Sequence, residues 1–158
     1  MSNITLILHN IRSVHNVGSI FRTADAAGVS NIILSGYTPT SIDRFGMPRK
    51  DFIKVSLGAE NTVKWSQIKR LAPTLEKLKK DGHLLLAIEQ DKRSISLFAW
   101  RPTDPKQPLA IILGNERRGI SKTILDKTDV ILEIPMHGKK ESLNVSVAAG
   151  VALFQVMR

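Results

Sequence analysis

Asn16-Val17-Gly18-Ser19-Ile20-Phe21-Arg22-Thr23-Ala24-Asp25, then Leu113-Gly114-Asn115-Glu116-Arg117-Arg118-Gly119-Ile120-Ser121, then Ile134-Pro135-Met136 running on to Ser142-Leu143-Asn144-Val145-Ser146 are the three segments on which the fold turns. Singly each is weak, because Gly-Asn-Glu and Ser-Leu-Asn are short strings that arise by chance in loops. Their order, spacing and residue types carry weight together. Working outward from them, short apolar runs at Ile4–Leu8, Asn31–Leu34, His83–Ile88, Leu109–Leu113 and Val130–Ile134 read as strands. Helical patterns lie between: Asn16–Ala27, a basic stretch Ser66–Lys80, a short piece near Lys122–Lys127, and a last helix Leu143–Met157. This alternation predicts an α/β unit with a mostly parallel sheet and helices on both faces.

At about 100° per residue, Val17, Ile20, Phe21, Ala24 and Gly28 gather on one side of the first helix, which leaves Arg22 nearly opposite. An arginine in that place reads either as a solvated charge or as a functional group. The last helix has almost no polar face, and a helix apolar all round has to be covered all round. In a chain of 158 residues, with Ala148, Ala149, Gly150 and Ala152 permitting close approach, a homodimer is expected to cover part of it.

The stretch from Ser35 to Arg49 is turn-rich and carries Arg44 and Arg49, with Lys50 just beyond, so it reads as a long surface loop, either RNA-facing or simply solvated. The prolines between Arg101 and Pro108 stiffen a connection. Apolar residues make up 42% of the sequence and charged residues 23%, a globular composition for one compact unit. The 23 basic residues against 14 acidic give +9, which favours a polyanionic partner and puts nucleic acid first. Without cysteine there are no disulfides, thiolate nucleophiles or iron-sulfur clusters. His9, His15, His83 and His137 lack metal-ligand spacing, so no metal is expected. With neither a signal-like start nor a membrane-length apolar run, a cytoplasmic location is expected.

The three opening segments resemble, in order and spacing, the motifs of the TrmH-like (SpoU) family of RNA ribose 2'-O-methyltransferases, in the SPOUT superfamily of knotted methyltransferases. The resemblance covers nearly the whole chain. It implies a single SPOUT domain over residues 1–158 with a C-terminal deep trefoil knot, a feature that periodicity does not show and that general topology rules disfavour. Many family members carry an N-terminal recognition segment; here the first motif begins at Asn16, so no such extension is expected. The implied cofactor is S-adenosyl-L-methionine and the implied partner is tRNA or rRNA.

By that resemblance the cofactor loops follow Ile88, Leu113 and Ile134, with Gly114 admitting close backbone approach and Ile134, Met136 and Leu143 forming an adenine pocket beside Ser142. Each has an ordinary alternative: Gly114 as a turn glycine, Ile134 as strand core, Ser142 as a helix N-cap. Asn16, Arg22, Glu116, Ser142 and Asn144 match the family's functional positions. Arg22 is then expected to hold a phosphate and stabilise the developing alkoxide, because a guanidinium stays protonated and serves as a donor rather than a base. Glu116 and Asn16 are expected to hold Arg22 or the loop around it; the alternative for Glu116 is a surface pair with Arg117 or Arg118. Two further functions stay open: methylation of a base nitrogen, and a non-catalytic RNA-binding module. A dinucleotide-binding Rossmann reading is poorly supported, since Gly114 to Gly119 lacks the required glycine spacing.

Overall fold

Seven short strands, the inner ones apolar enough to be covered on both sides, form one all-parallel sheet in the order β3-β2-β1-β6-β4-β7-β5. The computed structural model describes residues 3–158. In chain order the elements are β1 (Ile4–His9), α1 (Val14–Ala26), β2 (Asn31–Ser35), α2 (Lys50–Ser56), α3 (Ala59–Thr62), β3 (Trp65–Ile68) and α4 (Leu71–Lys80). They continue with β4 (Leu84–Ile88), β5 (Ile95–Ser96), β6 (Leu109–Leu113), α5 (Lys122–Leu125), β7 (Val130–Glu133) and α6 (Val145–Val156). β1 and β6 meet near the middle, in register from Ile4 opposite Leu109 to Leu8 opposite Leu113.

The period-2 alternation of strand side chains divides the core in two. Ile4, Leu6, Leu8, Leu109, Ile111 and Leu113 pack with the helices α1, α2 and α6. Ile7, Ala110 and Ile112 face the other way, toward α4 and α5. Helices therefore cover both faces, which is why these strands read as unbroken Ile/Leu runs instead of alternating ones.

α1 starts at Ser13, whose hydroxyl accepts from the Asn16 N–H at 3.1 Å. Val17, Ile20, Phe21 and Ala24 are buried as the angular pattern predicts; Gly28 instead lies beyond the helix, exposed, with φ +71°. Gly18 is the close-packing point: a Cβ there would stand 2.5 Å from Val55 Cγ2 and 2.9 Å from the Phe52 carbonyl oxygen. That approach lets Phe21 and Phe52 meet edge to face at 5.2 Å between centroids.

Two readings from sequence are corrected and three elements are added. The basic stretch Ser66–Lys80 is not one helix: Trp65–Ile68 forms an edge strand and only Leu71–Lys80 is helical. α2, α3 and β5 were not legible as elements. The last helix is capped by Asn144, whose side chain accepts from the Ser146 N–H at 2.8 Å, so Ser142 is not its N-cap. α6 packs Ala149, Ala152 and Leu153 inward on α1 while Val147 (51% exposed) and Phe154 (56%) face outward. Among the described residues no helix is long and apolar enough to cross a membrane.

Candidate functional site

At the carboxyl ends of the parallel strands β4, β6 and β7, three loops converge, the usual place for a ligand on an open α/β sheet. They enclose a cleft of about 220 Å³. Ile88, Gly114, Ile134, Met136, Ser142 and Leu143, all expected at a cofactor site, line this one cleft. Its apolar wall suits a flat aromatic base, and Gln90 and Glu116 supply polar groups along its edge.

The Gly114–Gly119 loop is a tight reversal, closed by a bridge between Asn115 and Gly119. A Cβ on Gly114 would lie 2.7 Å from the Gly119 carbonyl carbon and 2.8 Å from its oxygen. The glycine is thus required by the loop's own backbone, before any ligand is considered. Glu89, itself on the cleft wall, secures the loop by accepting from the Ile120 N–H at 2.9 Å.

Glu116 joins what the sequence separates. Its carboxylate accepts from the backbone N–H of Arg12 (3.0 Å to Oε2) and of Ser13 (3.1 Å to Oε1), at the mouth of α1, and from Asn16 Nδ2 at 3.2 Å. Asn144 Nδ2 in turn donates to Asn16 Oδ1 at 3.2 Å. One chain of hydrogen bonds therefore runs from the N-cap of α6 through α1 to the second loop, tying all three segments together. Burial pushes the Glu116 carboxyl up, but the N–H donors of Arg12, its own backbone and Ser13, with the Asn16 amide, outweigh it and hold the group below the ordinary carboxylate value.

Glu116 pairs with neither Arg117 nor Arg118, and it does not hold Arg22. Arg22 is exposed on α1, six residues and roughly 9 Å of helix rise beyond Asn16. Among the described residues it makes no hydrogen bond or ion pair, and it does not line the cleft. Ser142 and Asn144 both stand at the entry to α6, Ser142 on the cleft wall and Asn144 in the hydrogen-bond chain.

Sequence reasoning passed over Asn115 and Tyr37. Asn115, 7% exposed, donates from Nδ2 to the Asn10 carbonyl at 2.9 Å and to the Tyr37 hydroxyl at 3.0 Å. Its Oδ1 accepts from the N–H groups of Arg117 and Arg118 at 3.0 and 2.8 Å. The only sequence signal was a buried-type Asn directly after Gly114. Lys79, on α4, is paired with Asp129 at 2.8 Å. Arg49 borders a second cleft. No cluster of three potential metal-ligating side chains occurs among the described residues.

The family model for the SpoU rRNA methylase family matches residues 3–154. The chain belongs to that family. A Staphylococcus saprophyticus protein assigned to the TrmH family of tRNA/rRNA methyltransferases is 34% identical over 153 residues, which is 97% of this chain and 57% of that protein. The chain thus spans little more than half the length of the curated relatives it matches. Among solved structures, an AdoMet-bound rRNA methyltransferase from Sinorhizobium meliloti superposes with a TM-score of 0.84 at 25% identity, covering 97% of this chain and 55% of that one. A protein studied for 2-OH methylation of C/U34 on tRNA superposes at 0.79 with 26% identity, covering 98% and 93%. In this SpoU family chain the first segment supplies the α1 anchor, and the second and third supply the cleft walls.

Proposed function

We propose that this chain is an S-adenosylmethionine-dependent RNA methyltransferase that acts on the ribose 2'-hydroxyl of tRNA or rRNA in the cytoplasm. The observation that carries the reading is the convergence of all three segments on one cleft through the Asn144–Asn16–Glu116 hydrogen-bond chain. S-adenosylmethionine held there would supply a methyl group already activated by its sulfonium for transfer to the ribose oxygen. The protein's own residues then have positioning to do and need no covalent nucleophile. Ile88, Ile134, Met136 and Leu143, on the cleft wall, would give the adenine an apolar seat, and Gly114 and Ser142 would offer it backbone and hydroxyl groups. Glu116, Asn16 and Asn144 keep the loop and the two helix starts in fixed relation.

Arg22 is the uncommitted donor fork. Because it does not line the cleft of its own chain, its role in this reading, to hold an RNA phosphate and stabilise the developing alkoxide while the hydroxyl proton passes to water or a phosphate oxygen, requires the homodimer to bring it to the site. The reading includes the deep trefoil knot in the C-terminal segment, supported by kinship with SPOUT structures and by α6 returning to pack on α1. It also includes a homodimer, supported by the outward Val147 and Phe154 on a helix with no polar face. Light scattering is expected to give twice the 17.5 kDa chain mass, and Phe154→Glu to return the monomer value; a wild-type monomer at micromolar concentration would exclude the dimer.

The deciding experiment incubates the protein with labelled S-adenosylmethionine and bulk tRNA or rRNA lacking the modification, followed by nucleoside analysis. A 2'-O-methylated nucleoside is the expected product. A methylated base nitrogen would move the chain to the other reaction of the superfamily, and cofactor binding without transfer would leave an RNA-binding module. Arg22→Lys is expected to lower turnover by at least roughly tenfold, because a point charge replaces a planar fork. Retention of most of the turnover would remove the requirement for the fork.

A further inference from the structure

Next to the cofactor cleft lies a second cavity of about 640 Å³, and the two share a wall made by Asn115 and Arg117. The second cavity is lined by four arginines, Arg12, Arg49, Arg117 and Arg118, and by Tyr37, with no carboxylate side chain in its lining. Among the described residues, none of the four guanidinium groups forms an ion pair; Arg49 Nε reaches only the Ile42 carbonyl, at 3.4 Å. Four uncompensated guanidiniums around one cavity constitute a polyanion site, and their planar forks match phosphate.

Tyr37 makes the site more specific than that. It is 58% exposed, an uncommon position for a large aromatic ring, yet its hydroxyl accepts from Asn115 Nδ2 at 3.0 Å and its backbone N–H donates to Asn10 Oδ1 at 3.3 Å. The same Asn115 side chain holds the backbone of Arg117 and Arg118. One buried amide therefore fixes an exposed ring and two arginines in a single arrangement. A ring anchored at both ends and left bare on its face is pre-organised for stacking, at little entropic cost on binding.

We infer that this second cavity holds an unpaired nucleotide of the RNA, its base stacked on Tyr37 and its flanking phosphates held by Arg12, Arg49 and Arg118. Arg117, on the shared wall, turns the neighbouring ribose toward the methyl donor. A base inside a duplex has both faces occupied and cannot stack on a side chain, so the cavity selects a loop or single-stranded segment. The inference deepens the proposed function and rests on its choice of RNA as partner.

The test is fluorescence anisotropy with a labelled unpaired 12-nucleotide RNA and the same sequence annealed into a duplex, using the intact protein. Tyr37→Ala is expected to weaken single-strand binding roughly tenfold and leave duplex binding unchanged, while Tyr37→Phe, which keeps the ring, retains most of the affinity. Arg49→Ala is expected to reduce the slope of log K against log salt by about one. Unaltered S-adenosylmethionine affinity in each variant shows that the fold and first cleft are intact. Equal losses for Tyr37→Ala and Tyr37→Phe, or equal losses on duplex and single strand, would overturn the stacking site. The two readings fail separately. Methyl transfer that survives Tyr37→Ala undiminished overturns only this inference, whereas Tyr37-dependent single-strand binding without any transfer overturns only the enzymatic reading.

Discussion

Glu116→Gln is expected to lower methyl transfer by on the order of 100-fold, the scale associated with displacing a site by about an ångström. In the native arrangement two carboxylate oxygens face only donors: the N–H groups of Arg12 and Ser13 and the Asn16 amide. A glutamine keeps one acceptor and turns an NH2 group toward another N–H, so donor faces donor and the mouth of α1 shifts from the Gly114–Gly119 loop. Water reaches the carboxylate, so the stability cost stays near the low end for a charged acceptor, about 1–2 kcal/mol. That corresponds to a fall of roughly 2–8 °C in Tm for a chain of this size. The pH dependence has a definite sign. Because the folded carboxyl lies below its ordinary value, its stabilisation is complete above the unfolded value of about 4–5 and is lost as pH falls through the lowered folded value. Denaturant titrations should therefore show a gap between wild type and Glu116→Gln that is constant near neutrality and closes in acid. A gap of the same size at pH 3 and pH 7 would mean that the charge is not what anchors the helix.

Gly114→Ala should act by a different route and nearly as strongly. The added methyl meets backbone, the Gly119 carbonyl at 2.7–2.8 Å, as well as Ile120 Cγ1 at 2.5 Å. A side chain can rotate away; a backbone held by the Asn115–Gly119 bridge and by Glu89 cannot do so without moving the loop. Overpacking of this kind costs about 1–3 kcal/mol, and the displaced loop carries Glu116 away from α1. The expected result is a marked rise in the S-adenosylmethionine dissociation constant measured by calorimetry, together with a lower Tm. Wild-type cofactor affinity in Gly114→Ala would show that the loop yields easily and that the glycine is there for its turn alone.

The strands that were plain in the sequence are the inner ones: Ile4–Leu8, Asn31–Leu34, His83–Ile88, Leu109–Leu113 and Val130–Ile134 contain mostly Ile, Leu, Val and Ala. β3 was lost because it is an edge strand whose central residues, Ser66 and Gln67, face water, and because the basic helix that follows shares its polarity. α2 was hidden by its shortness; only Phe52 and Ser56 are buried along its seven residues. For the candidate site, the family resemblance gathered the lining of the first cleft, because those residues follow strands that are themselves legible. The partners of Glu116 were not, since two of them are backbone N–H groups that carry no residue identity. Nor could the role of Asn115 be read, because what it does depends on Tyr37 and Asn10, 78 and 105 residues away.

The pairing of β1 with β6 has a consequence for how the chain matures. β1 leaves the ribosome with one of its two neighbours, β6, about a hundred residues behind it, and α6 packs on α1 only after β6 and β7 have been made. β1, α1 and β2 emerge as a unit with one edge of β1 open and the apolar face of α1 partly bare. Loop closure over such distances is slow compared with helix formation. Until the twelve-residue α6 docks, the nascent segment is an adhesive half-sheet, whose protection from its neighbours has to come from chaperones or from the ribosome surface.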